Sequence, residues 1–365
     1  MKKYHWLDLM RFMAALSVVL CHVRGTVFVP YGALPHTQKN LFSFIAFEVT
    51  RLGNEAVVLF FVLSGFLVGG RSLERMVADE FRPVDYAIDR TVRIMLPLIP
   101  ALALTAVVEL LLGKGFNVFH LIGNMLSLQM LLVPVFGGNA PLWSLTYEWW
   151  FYILVFAIGI AAANRNLNAL SAVLLIITFA VFAKLDATYL FCWLIGAFAY
   201  MRRSRELLVS AIFFSLGLVL YGLAASQIDF NSLSISLGRI RNYFPSSDIA
   251  RIILSAGLAL FMQQAVNAVP KKYLWVRLDG IGTKLAAASY SLYLTHYPIL
   301  RLITYFGPKR ANINLTSISM FFGVIILCLA LSWIFYFLFE RHTQFCRRFI
   351  KERLLLKTMP AKINA

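Results

Sequence analysis

Acidic residues are scarce in this 365-residue chain: 17 Asp and Glu stand against 34 Lys and Arg. Charge of either sign is thin, at 14% of residues, where a soluble domain usually carries about 25%. The 60% that is hydrophobic exceeds what one globular core buries, so lipid must act as solvent for much of the chain. Cysteine is rare too. The four present form no CxxC pair, which excludes a disulfide framework or a cysteine-built zinc site and leaves small buried hydrophobes; no metal is expected. Period-two alternation is missing, which excludes a transmembrane barrel. There is no internal repeat, no low-complexity tract and no polar segment long enough for a second soluble domain. The formal charge of +17 would suit a nucleic-acid binder. The basic residues, however, sit in short loops between apolar runs, the positive-inside pattern of a membrane protein facing anionic lipid. The opening Met-Lys-Lys resembles a secretion signal, but Asp8 and Arg11 interrupt the run after it and no small-residue cleavage site follows, so a retained first helix is expected.

Apolar runs near the ~20 residues that cross a bilayer occur at 7–25, 52–70, 94–113, 146–163 and 167–183. Others follow at 187–200, 207–224, 249–266, 286–305 and 316–339. Backbone groups left unpaired in lipid are too costly for anything but helices or a closed barrel. The expected fold class is therefore all-α: a polytopic membrane protein with about ten transmembrane helices. Basic clusters at 71–93, 201–206 (Arg202, Arg203, Arg205), 267–285 (Lys271, Lys272, Arg277, Lys284) and from Arg341 onward belong in the cytoplasm. Both ends of the apolar stretch 118–136 then fall outside, and a re-entrant or interfacial segment is expected there. Both termini are expected in the cytoplasm, with a membrane domain at 1–345 and a basic tail at 346–365. The longest external connection is expected at 225–248.

Ionisable residues inside spans are costly and usually functional. The first helix carries Asp8, Arg11 and His22. At 100° per residue Arg11 and His22 fall within about 20° of one face, with Asp8 about 60° from Arg11. A rise of ~1.5 Å per residue puts His22 roughly 16 Å beyond Arg11. The result is a polar stripe, or else a buried Asp–Arg pair with an unrelated histidine. Arg90 and Arg93, spaced i,i+3 in DRTVRIMLP, can grip a phosphate bidentately or simply anchor a cytoplasmic loop. PLWSLTYEWWFY contains Trp143, Ser144 and Glu148; the aromatics suit a membrane interface and Ser144 a helix cap. Glu148, poorly solvated among tryptophans, is expected at the level of His22, where a carboxylate fixes the tautomer of an imidazole. In SYSLYLTHYP, Tyr293 and His296 are i,i+3 neighbours, and His296 either orients a reactant or braces packing. Ser64-Gly65 in FFVLSGFL reads first as a helix-contact pair.

The segment LDLMRFMAALSVVLCH, with ten residues between Arg11 and His22, resembles the opening motif of the acyltransferase-3 family of membrane acyltransferases. FFVLSGF, RTVRIMLP, WSLTYE and YSLYLTH resemble its later motifs in the same order, over about residues 5 to 345. Two departures are the Asn-Glu-Ala after Gly53 and the FERHTQF near the C-terminus. The resemblance implies an O-acyltransferase of the O-antigen or exopolysaccharide kind in a bacterial inner membrane. Acetyl-CoA or another acyl-CoA would be the donor substrate, with no bound cofactor, and an exported or lipid-linked carbohydrate the acceptor. It implies a catalytic role for His22, a donor-side role for Arg11, Arg90 and Arg93, and importance for Trp143, Ser144 and Glu148. The expected mechanism docks carrier phosphates at Arg90 and Arg93 near the Asp8-positioned Arg11. His22, oriented by Glu148, deprotonates the sugar hydroxyl, and Ser144 or Trp143 supports acceptor or oxyanion. Two alternatives remain at this level: a secondary transporter of a sugar or organic anion, which would have shown an inverted repeat, and an acyltransferase acting on a lipid or peptide.

Overall fold

A computed structural model describes residue 4 and residues 6–203, 206–229, 245–270 and 272–358. The central part of the connection expected at 225–248 (230–244), together with Arg205, Lys271 and 359–365, lies outside the described residues. The described residues form α1 (Leu7–Val27), α2 (Leu41–Val49), α3 (Gly53–Ser64), a π-helical stretch (Gly65–Gly70), α4 (Arg71–Val77) and α5 (Pro83–Leu111). Then come α6 (Val118–Met125), α7 (Trp143–Ala163), α8 (Ala169–Lys184), α9 (Thr188–Met201), α10 (Val209–Asp229) and α11 (Ser247–Ala265). α12 (Tyr273–Ala287), α13 (Ser289–Phe306), α14 (Leu315–Leu338) and α15 (Thr343–Thr358) complete the order, with no strand among them. Local chemistry sets several starts. Asn40 and Ser43, and Asn314 and Ser317, form reciprocal capping boxes for α2 and α14, and Pro83 sits in the first turn of α5, where its missing N–H costs nothing.

Five helical stretches among the described residues are long and apolar enough to cross a membrane: Leu41–Val77, Pro83–Leu111, Ala140–Ala163, Val209–Gln227 and Leu315–Leu354. Ten were expected. The difference has a physical origin. α8 and α9 have 16 and 14 residues, short of the ~20 a straight span needs. α1 carries Asp8, Arg11 and Arg24, α11 carries Asp248 and Arg251, and α13 carries His296 and Arg301. These polar groups lower the hydropathy of their helices, and His22 of α1 meets His296 of α13 inside the bundle.

The stretch 118–136 cannot cross a bilayer as one helix. α6 has eight residues, about 12 Å at 1.5 Å per residue. The loop after it is braced by Asn124, which donates to the carbonyls of His120 and Pro134 and accepts from the Phe136 amide. Phe119, Ile122, Leu126 and Leu132 stay exposed, the pattern of a segment lying at an interface.

α1 lies at the centre, packed against α3, α12, α13 and α14. The tightest crossing joins the α3–π stretch to α9. A Cβ on Gly65 would stand 1.9 Å from the Trp193 carbonyl oxygen, and one on Gly196 would stand 2.2 Å from that of Val62. Backbone touches backbone there, so the Ser64-Gly65 pair is a helix contact as expected, and Ser64 also accepts a hydrogen bond from the Trp193 indole at 3.3 Å. Gly65→Ala should cost about 1–3 kcal/mol or more through overpacking, seen as a lower melting temperature of the purified protein. Gly323→Ala, in open space on α14, should leave it unchanged.

Candidate active site

Two cavities lie at opposite ends of α1 and α13. The first, about 680 Å³, contains Arg11, Arg90 and Arg93 along one wall and Ser64, Ser144 and Tyr293 at its inner end. The second, about 540 Å³, contains His22, Tyr297, Arg301 and Arg310. We refer to them as the arginine and histidine cavities. α1 contributes Arg11 to one and His22 to the other; α13 contributes Tyr290 and Tyr293 to one and Tyr297 and Arg301 to the other.

Between them sits a histidine pair. His22 Nδ1 lies 3.0 Å from His296 Nε2 and the rings stack. His296 is fully buried, and its Nδ1 lies 2.9 Å from the Leu292 carbonyl oxygen. A carbonyl only accepts, so His296 Nδ1 carries the proton, and in the neutral ring Nε2 is a lone pair. His22 Nδ1 is then the donor within the pair. The tautomer of His22 follows: its Nε2 has no proton and is free to take one. Tyr293, one turn from His296 with ring centroids 6.2 Å apart, is bonded to Ser144 Oγ at 2.6 Å and donates to the Pro141 carbonyl at 3.0 Å.

Glu148 is not beside His22. It lies in the arginine cavity, accepting from the Tyr152 hydroxyl at 2.5 Å, and His296 occupies the position expected of it. The loop before α7 explains the displacement. Phe136, Asn139 and Leu142 are buried, so α7 starts inside the bundle, and Glu148, five residues on, is carried about 7.5 Å further toward the arginines. Trp143 packs on Phe61, Tyr147 and Tyr189 in an aromatic cluster and lines neither cavity.

The arginines are held differently from one another. Arg11 pairs with Asp8 at 3.1 Å, the local pair expected from the i,i+3 spacing. Arg93 lies 3.5 Å from Glu340, a carboxylate only 2% exposed that also accepts from the Ser291 amide and hydroxyl. Arg90 has its guanidinium over the rings of Tyr86 and Tyr152, and its buried Nε has no hydrogen-bond partner. Sequence reasoning passed over Glu340, although FER in FERHTQF was visible, because nothing local ties it to Arg93. The same holds for α15. It extends through much of the expected tail, brings Arg347, Arg348 and Lys351 to the arginine cavity and docks on α5, with Lys351 3.1 Å from Asp89 and 3.3 Å from Asp85.

These features describe a helical membrane protein with a cationic cavity and a second cavity lined by a tautomer-defined imidazole. A family model described as an acyltransferase domain matches residues 4–337, and the chain belongs to this acyltransferase-3 family. It is a membrane acyltransferase. Comparison with curated proteins gives no match, and comparison with solved structures gives none.

Proposed function

We propose that the protein moves an acyl group, acetyl in the simplest case, from acyl-CoA in the cytoplasm to a hydroxyl of an exported or lipid-linked carbohydrate. It would act in a bacterial inner membrane with both termini cytoplasmic. The observation that carries this reading is the placement, at opposite ends of the same helices, of a cavity rich in guanidinium groups and a cavity lined by the His22 imidazole. Guanidinium groups match phosphate oxygens, and the arginine cavity thereby suits a donor carrier whose phosphates stay near Arg90 and Arg93 while its pantetheine arm carries the thioester inward. The ~16 Å rise from Arg11 to His22 is the distance that arm must bridge.

The acceptor hydroxyl enters from the histidine cavity. His22 Nε2 takes its proton and the oxygen attacks the thioester carbon. Collapse breaks the C–S bond, the imidazolium returns its proton to the departing thiolate, and an ester and free thiol remain. Glu148 contributes from the donor side, within the arginine cavity.

The test is transfer of radiolabelled acetyl from acetyl-CoA to envelope glycan in membrane vesicles containing the protein. Label recovered in glycan, and absent from vesicles lacking the protein, is the expected result. Label recovered only in lipid or peptide would reassign the acceptor, and no label in any fraction would overturn the donor assignment.

A further inference from the structure

The histidine cavity is cationic where topology disfavours cations. Lys114, Arg301 and Arg310 line it beside His22. Arg301 is offset by an ion pair with Glu109. Among the described residues, Lys114 and Arg310 have no acidic partner, and both are exposed. With His22 neutral, the wall carries a net charge of about +2, one each from Lys114 and Arg310. In the orientation proposed above this cavity opens away from the cytoplasm, on the side where short loops are depleted of Lys and Arg. Two uncompensated cations on the rim of the cavity that holds the catalytic imidazole therefore call for a ligand. Tyr297 and Tyr305 in the same wall offer ring faces of the kind sugars pack against.

We propose that the acceptor is an anionic carbohydrate, whose carboxylate or phosphate is held by Arg310 and Lys114 while a neutral ring hydroxyl reaches His22. This rests on the reading of the histidine cavity as the acceptor site. The anion has two sources with one chemistry: a uronic acid within the glycan, or the diphosphate linking a sugar to its lipid carrier. The partly buried Arg301–Glu109 pair is a scaffold for the wall. It joins α13 to α5 and is internally neutral, so discrimination by charge falls to the two exposed residues.

The experiment measures binding, not transfer, so it stands apart from the acyl-donor question. Purified full-length protein in nanodiscs of neutral phosphatidylcholine is titrated with three probes: a glucuronate-containing disaccharide, its neutral glucose counterpart, and glucose linked through a diphosphate to a short isoprenoid. At least one charged probe should bind about tenfold tighter than the neutral one, as expected for a charge-assisted contact. That advantage should shrink toward unity at about 0.5 M salt and in the Lys114→Gln/Arg310→Gln double variant, whose substituted positions are exposed. Arg310→Lys should keep most of it. The charged probe that shows the advantage identifies the source of the anion. Equal binding of charged and neutral probes, no saturable binding of either charged probe, or an advantage that survives in the double variant overturns the proposal. So does loss of the advantage when phosphatidylglycerol is added, because that assigns the cations to lipid headgroups. A charge preference without acetyl transfer would remove the donor reading alone; transfer without a charge preference would remove this inference alone.

Discussion

His22→Gln should lower acyl transfer by about 10²–10⁴-fold, the usual contribution of a positioned general base, while the protein folds normally. Glutamine is chosen because its amide N–H can take over the donation that His22 Nδ1 makes to His296 Nε2. The buried acceptor on His296 then keeps a partner, and only the proton-accepting Nε2 is lost. Alanine would confound the result by leaving that acceptor unpaired, at a cost of about 1–3 kcal/mol. His296→Ala probes the other half of the pair. His296 touches neither cavity and acts through His22, so its loss should reduce kcat by about 10- to 100-fold, the range for outer-shell partners that hold a functional imidazole, with acceptor KM near wild type. The measurement is single-turnover transfer of labelled acetyl by purified protein, with the melting temperature recorded for each variant. Near-normal transfer by His22→Gln would remove the imidazole from the chemistry, and a His296→Ala defect confined to KM would make that residue part of the acceptor site.

The pairing of two histidines 274 positions apart also marks where the sequence was readable and where it was not. Short-range geometry could be worked out in advance. Asp8 and Arg11 sit one helical turn apart and do form a pair, Ser64-Gly65 does meet another helix, and the ordered motifs led to the family whose model covers residues 4–337. Each of those signals lives within a few residues of chain. Glu148, His296 and Glu340 depended instead on how far a loop pushes into the bundle and on which helix lies across from it. The aromatic and carboxylate pattern of PLWSLTYEWWFY was compatible with either cavity, and only the buried turns around Phe136–Leu142 decided between them. Five stretches among the described residues pass on length and hydropathy where about ten were expected, for a related reason. Hydropathy weighs each run as if it faced lipid, whereas α1 and α13 pack on each other and meet through the His22–His296 pair.

Arg90→Ala should raise the KM for acyl-CoA by about 30- to 100-fold, as expected for losing one charge-assisted, bidentate phosphate contact, with little change in kcat at saturating donor. Arg90 is the discriminating position because, among the described residues, no carboxylate forms an ion pair with it. It is held by the faces of Tyr86 and Tyr152, and its Nε is buried without a partner. Arg90→Lys should not restore binding, since an ammonium has neither the planar fork nor the same stacking on tyrosine. Arg93→Ala will look similar in a crude assay for a different reason. Removing Arg93 strands Glu340, whose side chain is only 2% exposed, and a buried carboxylate that loses its cation costs about 3–5 kcal/mol. The two contributions separate in the Arg93→Ala/Glu340→Gln double variant. The neutral amide removes the stranded charge, so the melting temperature should recover while donor KM stays high. If KM recovers together with stability, Arg93 serves the fold through Glu340, and phosphate recognition passes to Arg90 and to the basic residues of α15 that share the cavity. If Arg90→Ala leaves donor KM unchanged, guanidinium recognition of the carrier fails at the position where it has least else to do.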